Sequence, residues 1–211
     1  AVRLDSAGKV DSGFGRSGVV TLLTDDGGDS DFIVPVGVHA IDGGYMAVIL
    51  DASTSGDRAR AVTFDRSGAE LVIDLATADE IASVDSTSTA DGGVTAVVHV
   101  DAGGDEHDFH VHRFLSNGRL DPDFDNPGLH DDDVSGPVHV VGLRTGDVAV
   151  AYNVGPDAAF AIRTVTPEGD EGPSLATGLD AWMYGVAAVA HDGSLILAVD
   201  ETPTQSVEPD S

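Results

Sequence analysis

One short phrase recurs four times along this chain, and a chain made of copies of one unit folds as a repeat architecture. The copies are Ala1-Val-Arg-Leu-Asp-Ser-Ala-Gly8, Ala61-Val-Thr-Phe-Asp-Arg-Ser-Gly68, Val111-His-Arg-Phe-Leu-Ser-Asn-Gly118 and Ala161-Ile-Arg-Thr-Val-Thr-Pro-Glu-Gly169. Their starts at 1, 61, 111 and 161 lie 60, 50 and 50 residues apart. Each is a β-like run closed by a glycine turn, and Arg3, Arg113 and Arg163 read as one slot, held by Thr63 in the second copy. A second landmark keeps the same beat: Asp42-Gly43-Gly44, Asp91-Gly92-Gly93, Thr145-Gly146-Asp147 and Asp192-Gly193. Each joins two apolar runs, such as Val138–Leu143 with Val148–Tyr152 and Val186–Ala190 with Leu195–Val199. Apolar runs across a glycine turn predict a β-hairpin. The unit is therefore a hairpin, the Arg-bearing strand, a turn, and a shorter outer strand such as Val19–Leu23 or Leu71–Leu75. No segment sustains a 3.6-residue apolar period, so helices should be few.

The chain ends suggest how the units assemble. Ala1–Asp5 is the third strand of a unit without its hairpin, and the hairpin at Asp192-Gly193 has no third strand after it. The expected fold is all-β: a single domain over residues 1–200, with four repeats forming a small propeller-like ring. In it Ala1–Asp5 pairs with Leu195–Val199 and closes the last blade, which hides both terminal edges. Residues 201–211 are a polar tail.

Charge limits the partners. There are 37 acidic residues against ten basic ones, a net charge of −27, and thirty of the acids are Asp, which suits turns better than helices. Lys9 is the single lysine. Such a field repels nucleic acid and anionic membrane surfaces. It resembles the acid-rich, lysine-poor surface of proteins adapted to high salt, where screening relieves self-repulsion. There is no cysteine, so no disulfide and no thiolate metal site. No apolar run approaches the roughly 18 residues that a membrane-inserted helix needs.

Two copies resemble a known family. Val2-Arg-Leu-Asp-Ser-Ala-Gly-Lys-Val-Asp-Ser-Gly-Phe-Gly-Arg-Ser-Gly-Val19 and His112-Arg-Phe-Leu-Ser-Asn-Gly-Arg-Leu-Asp-Pro-Asp-Phe-Asp-Asn-Pro-Gly128 look like the delta-60 repeat of uncharacterised bacterial β-propeller proteins. That repeat runs roughly Arg-Leu-x-x-x-Gly-x-Leu-Asp-x-x-Phe-Gly-x-x-Gly. The second copy keeps Gly68 but lacks the Asp-x-x-Phe element, and the fourth keeps Arg163 and Gly169. The resemblance implies a propeller of extracellular or envelope proteins, and it brings no catalytic residues with it.

Several motifs invite a chemical reading. Gly13-Phe-Gly-Arg-Ser-Gly18 matches a dinucleotide fingerprint by letter, but a strand-like run follows where a helix N-terminus must hold the pyrophosphate, so it reads as a repeat turn. Asp121, Asp123 and Asp125 place carboxylates at alternate positions, a spacing that suits calcium, as does the weaker Asp25–Asp31 run. Asp121 is equally the counterpart of Asp11, a turn aspartate that caps backbone amides. His107, His110 and His112 form one cluster; His110 and His112, two apart on a strand, share a side that suits zinc if another strand brings a third ligand, and otherwise read as two histidines on an exposed face. Trp182 and Tyr184, beside Met183, make a candidate contact patch. There is no G-x-S-x-G elbow and no H-E-x-x-H helix.

The expectation is thus a non-catalytic module of a secreted, cell-surface or virion-type assembly. It would work by protein contact, homo-oligomeric contact included, with no cofactor required and calcium at Asp121, Asp123 and Asp125 as the one metal the spacing suits. The rivals are a polysaccharide hydrolase or lyase with carboxylates at the ring axis and a calcium-binding adhesion domain. Converging carboxylates or histidines in an axial pocket favour the enzyme; an edge patch of apolar residues favours the contact module.

Overall fold

The computed structural model describes residues 1–22, 30–101, 106–124, 129–132, 134–154, 159–172, 175–180, 187–189 and 195–197. Among them there is no helix. The first sheet is β1 (Ser30–Ile41), β2 (Gly44–Ser53), β3 (Asp57–Phe64) and β4 (Ala69–Ala78). The second is β5 (Ile81–Ser88), β6 (Val94–Asp101), β7 (Glu106–Phe114) and β8 (Leu129–Asp132). The third is β9 (Val134–Gly142), β10 (Val148–Val154), β11 (Ala159–Val165) and β12 (Leu175–Asp180). In each sheet neighbours in sequence are neighbours in space and every pairing is antiparallel. A two-stranded hairpin, β13 (Ala187–Val189) and β14 (Leu195–Leu197), completes the set.

The glycine landmarks fall at the hairpin turns for a steric reason. Gly43, Gly92 and Gly146 have φ of 85°, 83° and 96°, a region that residues with a Cβ rarely enter. The second strand of each sheet is buried on both faces, as Met46–Ile49, Val94–Val98 and Val148–Tyr152 show. Such strands read as continuous apolar runs because another layer covers each side. Met46, Val48, Ala61 and Leu75 of the first sheet pack on Ile81, Val94, Ala96, Val98 and Phe114 of the second. Val97, Phe109, Val111 and Leu129 of the second pack on Val138, Val140, Val150 and Tyr152 of the third. The remaining face of the first sheet (Ala47, Ile49, Val62 and Phe64) is covered by Phe14 and Val20 of the N-terminal segment. First strands stay neighbours throughout: β1 meets β5, β5 meets β9, and β9 meets β13.

Three turns share one pattern of backbone hydrogen bonds. Amides of Asp5, Leu115 and Thr166 donate to the carbonyls of Lys9, Arg119 and Asp170, at 2.7, 2.9 and 2.9 Å. Amides of Asp11, Asp121 and Gly172 then donate to Arg3, Arg113 and Thr164, at 2.9, 2.9 and 2.7 Å. One expectation changes here. Thr164, not Arg163, shares the slot of Arg3 and Arg113. A one-residue slip on a strand turns the side chain to the opposite face, so Arg163 pairs with Glu171 from the other side. Val2 bridges Val19, Leu4 bridges Val10, and the Ala1 ammonium donates to the Val20 carbonyl at 2.6 Å, all along one edge of Ala1–Asp5. A pairing of its other edge with the 195–199 run is not among the described pairings. Among the described residues, β14 pairs with β13 alone.

Candidate functional site

The first strands carry the densest row of polar groups. β5 reads Ile-Ala-Ser-Val-Asp-Ser-Thr-Ser, and its alternate side chains do different work. Ser83 Oγ, Asp85 Oδ2 and Thr87 Oγ1 accept the amides of Val138, Val140 and Gly142 at 2.9, 2.9 and 3.1 Å, each pair 55 residues apart. Side chains of one sheet thus complete the hydrogen bonds of the next sheet's first strand. On the opposite face, Ser86 Oγ and Ser88 Oγ lie 2.9 and 3.0 Å from the two ring nitrogens of His39 in β1. Both sheets approach too closely for a Cβ at Gly37, which would strike Ser86, or at Gly142, which would strike the Ser88 carbonyl.

His39, Asp85 and His139 are brought together by this stacking. His139 Nδ1 lies 3.5 Å from Asp85 Oδ2. Burial lowers the pKa of His39 against the opposing pull of the Asp85 charge, so the ring is neutral at pH 7. A neutral imidazole beside a serine hydroxyl is a base next to a nucleophile. The arrangement stops short of a triad, because Asp85 is occupied elsewhere. Its Oδ2 accepts Val140 and its Oδ1 accepts the Ser86 amide at 2.8 Å. What the row does is clamp sheets.

The Asp121 turn is also a structural device. Asp121 Oδ1 accepts the Asp123 amide at 3.1 Å, and its Oδ2 lies 3.3 Å from Arg113 Nε. Asp11 repeats the arrangement, accepting the Gly13 amide at 2.9 Å and pairing with Arg3. The Arg3 hydrogen bond, ahead of that from Gly13, holds the Asp11 carboxyl below its ordinary pKa. The sequence offered the arginine slot and the turn aspartate separately; their constant spacing of eight was the signal that they pair. Asp125, Trp182 and Tyr184 lie outside the described residues, as does most of the Asp25–Asp31 run. Among the described residues, no three His, Asp or Glu side chains gather at metal-binding spacing.

The His110/His112 pair is not on an open face. Both are half-buried, their rings parallel within 12° and 6.5 Å apart, on the side of β7 that meets the first sheet. Burial first, and the neighbouring His110 second, depress the His112 pKa to about 4, against a hydrogen bond to the Leu75 backbone. The unfolded chain binds this proton at its ordinary 6.5 and the folded chain does not. Stability therefore falls as pH drops from about 6.5 towards 4, by up to about 3 kcal/mol from this group. His112→Gln should flatten the fall in a urea-midpoint series over that pH range, whereas the same exchange at His110 should leave most of it.

Two cavities lie against the face of the first sheet that meets the N-terminal segment. One, of about 340 Å³, is lined by Arg3, Ala40, Gly43, Gly44, Tyr45, Asp65 and Arg66. The other, of about 250 Å³, shares Arg3 and Tyr45 and adds Val2, Phe14, Val38 and Phe64. Arg3 sits 5.1 Å over the Phe14 ring, and Tyr45 stacks on Phe64 at 5.5 Å. Val2 and Val38, which line the second cavity, are about half exposed, as are Leu4, Val10 and Val19 elsewhere along the N-terminal segment. Both cavities are thus amphipathic, with arginine and tyrosine beside apolar side chains. Compared with protein-family models and with curated proteins, the chain matches none.

Proposed function

We propose that the chain is a non-catalytic β-propeller module of the delta-60 kind, in a secreted, cell-surface or virion-type assembly at high salt, working by protein contact. The observation that carries this reading is the use of the first-strand polar groups. Ser83, Asp85, Thr87, Ser86, Ser88 and His39 are bound sheet to sheet, as blades of a propeller are held near its axis. The repeated Arg–Asp turn and the serial stacking of four-stranded meanders support the propeller. Leu71 and Val72 on the edge strand β4, each about half exposed, support contact over chemistry, since exposed apolar surface at an edge marks interaction sites.

The rival enzyme reading draws on the His39–Ser86 contact and on Asp85, and one experiment separates them. Purified chain in molar salt is incubated with neutral and acidic polysaccharides and with aryl esters, and released ends or phenolate are measured. The expected result is no turnover above buffer. Turnover abolished in both His39→Ala and Asp85→Asn, with unchanged unfolding midpoints, would overturn the module reading.

A further inference from the structure

We infer that the cleft beside the first sheet is the seat of the β13–β14 hairpin, and that β14 joins Ala1–Asp5 in one register, Leu195 opposite Leu4 and Leu197 opposite Val2. This rests on the propeller reading and adds the geometry of its seam.

The register follows from equivalent hydrogen bonds. Leu4, Phe114 and Val165 each stand just before the same turn, as Phe64 does in the first sheet. Phe64 pairs with Tyr45, Phe114 with Val94, and Val165 with Val148. In the second and third sheets the second-strand member of that pair is six residues beyond its first-strand partner, Ser88 to Val94 and Gly142 to Val148. Val189 to Leu195 repeats the interval, so Leu195 is the counterpart of Val94 and Val148. Its partner is then Leu4. Two residues on, Ala96 faces His112 and Val150 faces Arg163, which sets Leu197 opposite Val2.

The receiving edge is prepared for it. Val20 and Asp11 donate their amides to the carbonyls of Ala1 and Arg3, and Asp5 donates to Lys9, so odd positions turn to one side. By strand alternation the amides and carbonyls of Val2 and Leu4 turn to the other, where no described residue meets them. Burial agrees. Phe64, Phe114 and Val165 are 2%, 0% and 0% exposed, while Leu4 in the same slot is 58% exposed. What covers its counterparts is missing from Leu4.

Charge points the same way. In the first hairpin the Asp42 amide donates to the Ser116 carbonyl at 2.6 Å, and the Ser116 hydroxyl donates to the Asp42 carboxylate at 2.7 Å. Arg66 is the counterpart of Ser116 and Asp192 that of Asp42. The Asp91 carboxylate is reached by Arg113, the counterpart of Arg3. By sequence the residue before Gly193 is again an aspartate, and two of the chain's ten cations, Arg3 and Arg66, line the cavity inferred as the seat.

A chain without cysteine makes the test clean. Directly opposite strand residues lie about 4.5–5.5 Å apart at Cα, inside disulfide range, while diagonal neighbours at roughly 7–8 Å fall outside it. The pairs Leu4→Cys/Leu195→Cys and Val2→Cys/Leu197→Cys are oxidised in dilute solution at molar salt, beside the diagonal pair Leu4→Cys/Leu197→Cys. Non-reducing gels and intact mass are read. The expected result is an intrachain disulfide in both opposite pairs, several-fold above the diagonal pair. A dominant diagonal bond overturns the register and leaves the ring. Interchain bonds alone overturn self-seating and give the cleft to a second copy. No bond in any pair of a folded monomer overturns the propeller reading itself.

Discussion

Replacing Arg113 by alanine is expected to cost about 3 kcal/mol, lowering the melting midpoint by roughly 6–12 °C. Its side chain is 9% exposed and holds two carboxylates, with Nη2 2.5 Å from Asp91 and Nε 3.3 Å from Asp121. The carboxylates differ in what they lose. Asp91 is half exposed and is held as an anion first by the Thr89 hydroxyl, so it rehydrates when the guanidinium goes. Asp121 is 12% exposed and keeps, among the described residues, the Asp123 amide, so its charge stays buried without that cation. Removing one member of a buried pair is costly for that reason, whereas removing all members often is not. Arg113→Met with Asp91→Asn and Asp121→Asn should therefore recover most of the loss, and Arg113→Lys should fall between, since an ammonium cannot fork to both sides. Urea midpoints at pH 7 decide it. An Arg113→Ala chain within about 0.5 kcal/mol of the parent would show that the pair is neutral to the fold.

That arginine illustrates what the sequence discloses. Hairpin turns were legible because Gly43, Gly92 and Gly146 take backbone angles that other residues avoid, so their identity reports conformation directly. The second strands were legible because burial on both faces leaves an unbroken apolar run. First strands were legible in part: the Val138–Leu143 run falls on β9 and the Val186–Ala190 run overlaps β13, but β5 gave no such run. Ile81–Ser88 carries almost no apolar pattern, since its serines, threonine and aspartate face neighbouring sheets and complete their hydrogen bonds. That role depends on how sheets stack, which no local spacing encodes. The slip at Arg163 has a related cause. The fourth copy carries an extra residue before its glycine, and matching arginine to arginine hid it, while the hydrogen-bond ladder places Thr164 in the slot. Turn aspartates such as Asp121 and Asp11 look alike whether they cap amides, pair with arginine or bind a cation. Only the position of Arg113 and Arg3 across the turn distinguishes these roles. The half-buried setting of His112 was hidden likewise, because a histidine two residues from another on a strand carries no mark of which sheet will cover it.

Raising potassium chloride from 0.1 M to 2 M should lift the melting midpoint by about 10 °C, each kcal/mol of relieved repulsion being worth roughly 2–4 °C at this length. The chain has 37 acids to ten bases, and among the described residues four cations already sit in ion pairs: Arg3 with Asp11, Arg60 with Asp51 and Asp74, Arg113 with Asp91 and Asp121, and Arg163 with Glu171. With ten cations for 37 acids, most carboxylates meet no opposite charge. Their mutual repulsion acts over the Debye length, which shrinks from about 10 Å at 0.1 M to about 3 Å at 1 M. Salt also weakens exposed ion pairs, but these contribute little, and the buried Arg113 pair is screened least. Repulsion is the larger effect, so the net sign is stabilising. Chloride is the right anion for the test, because sulfate would strengthen apolar burial in any protein. The cost of Arg113→Ala gives an internal control: it should persist at 2 M while the parent midpoint climbs, since desolvation of Asp121 is unaffected by bulk screening. A midpoint that stays level across the series would separate the acidic composition from any need for salt, and the high-salt setting would go with it.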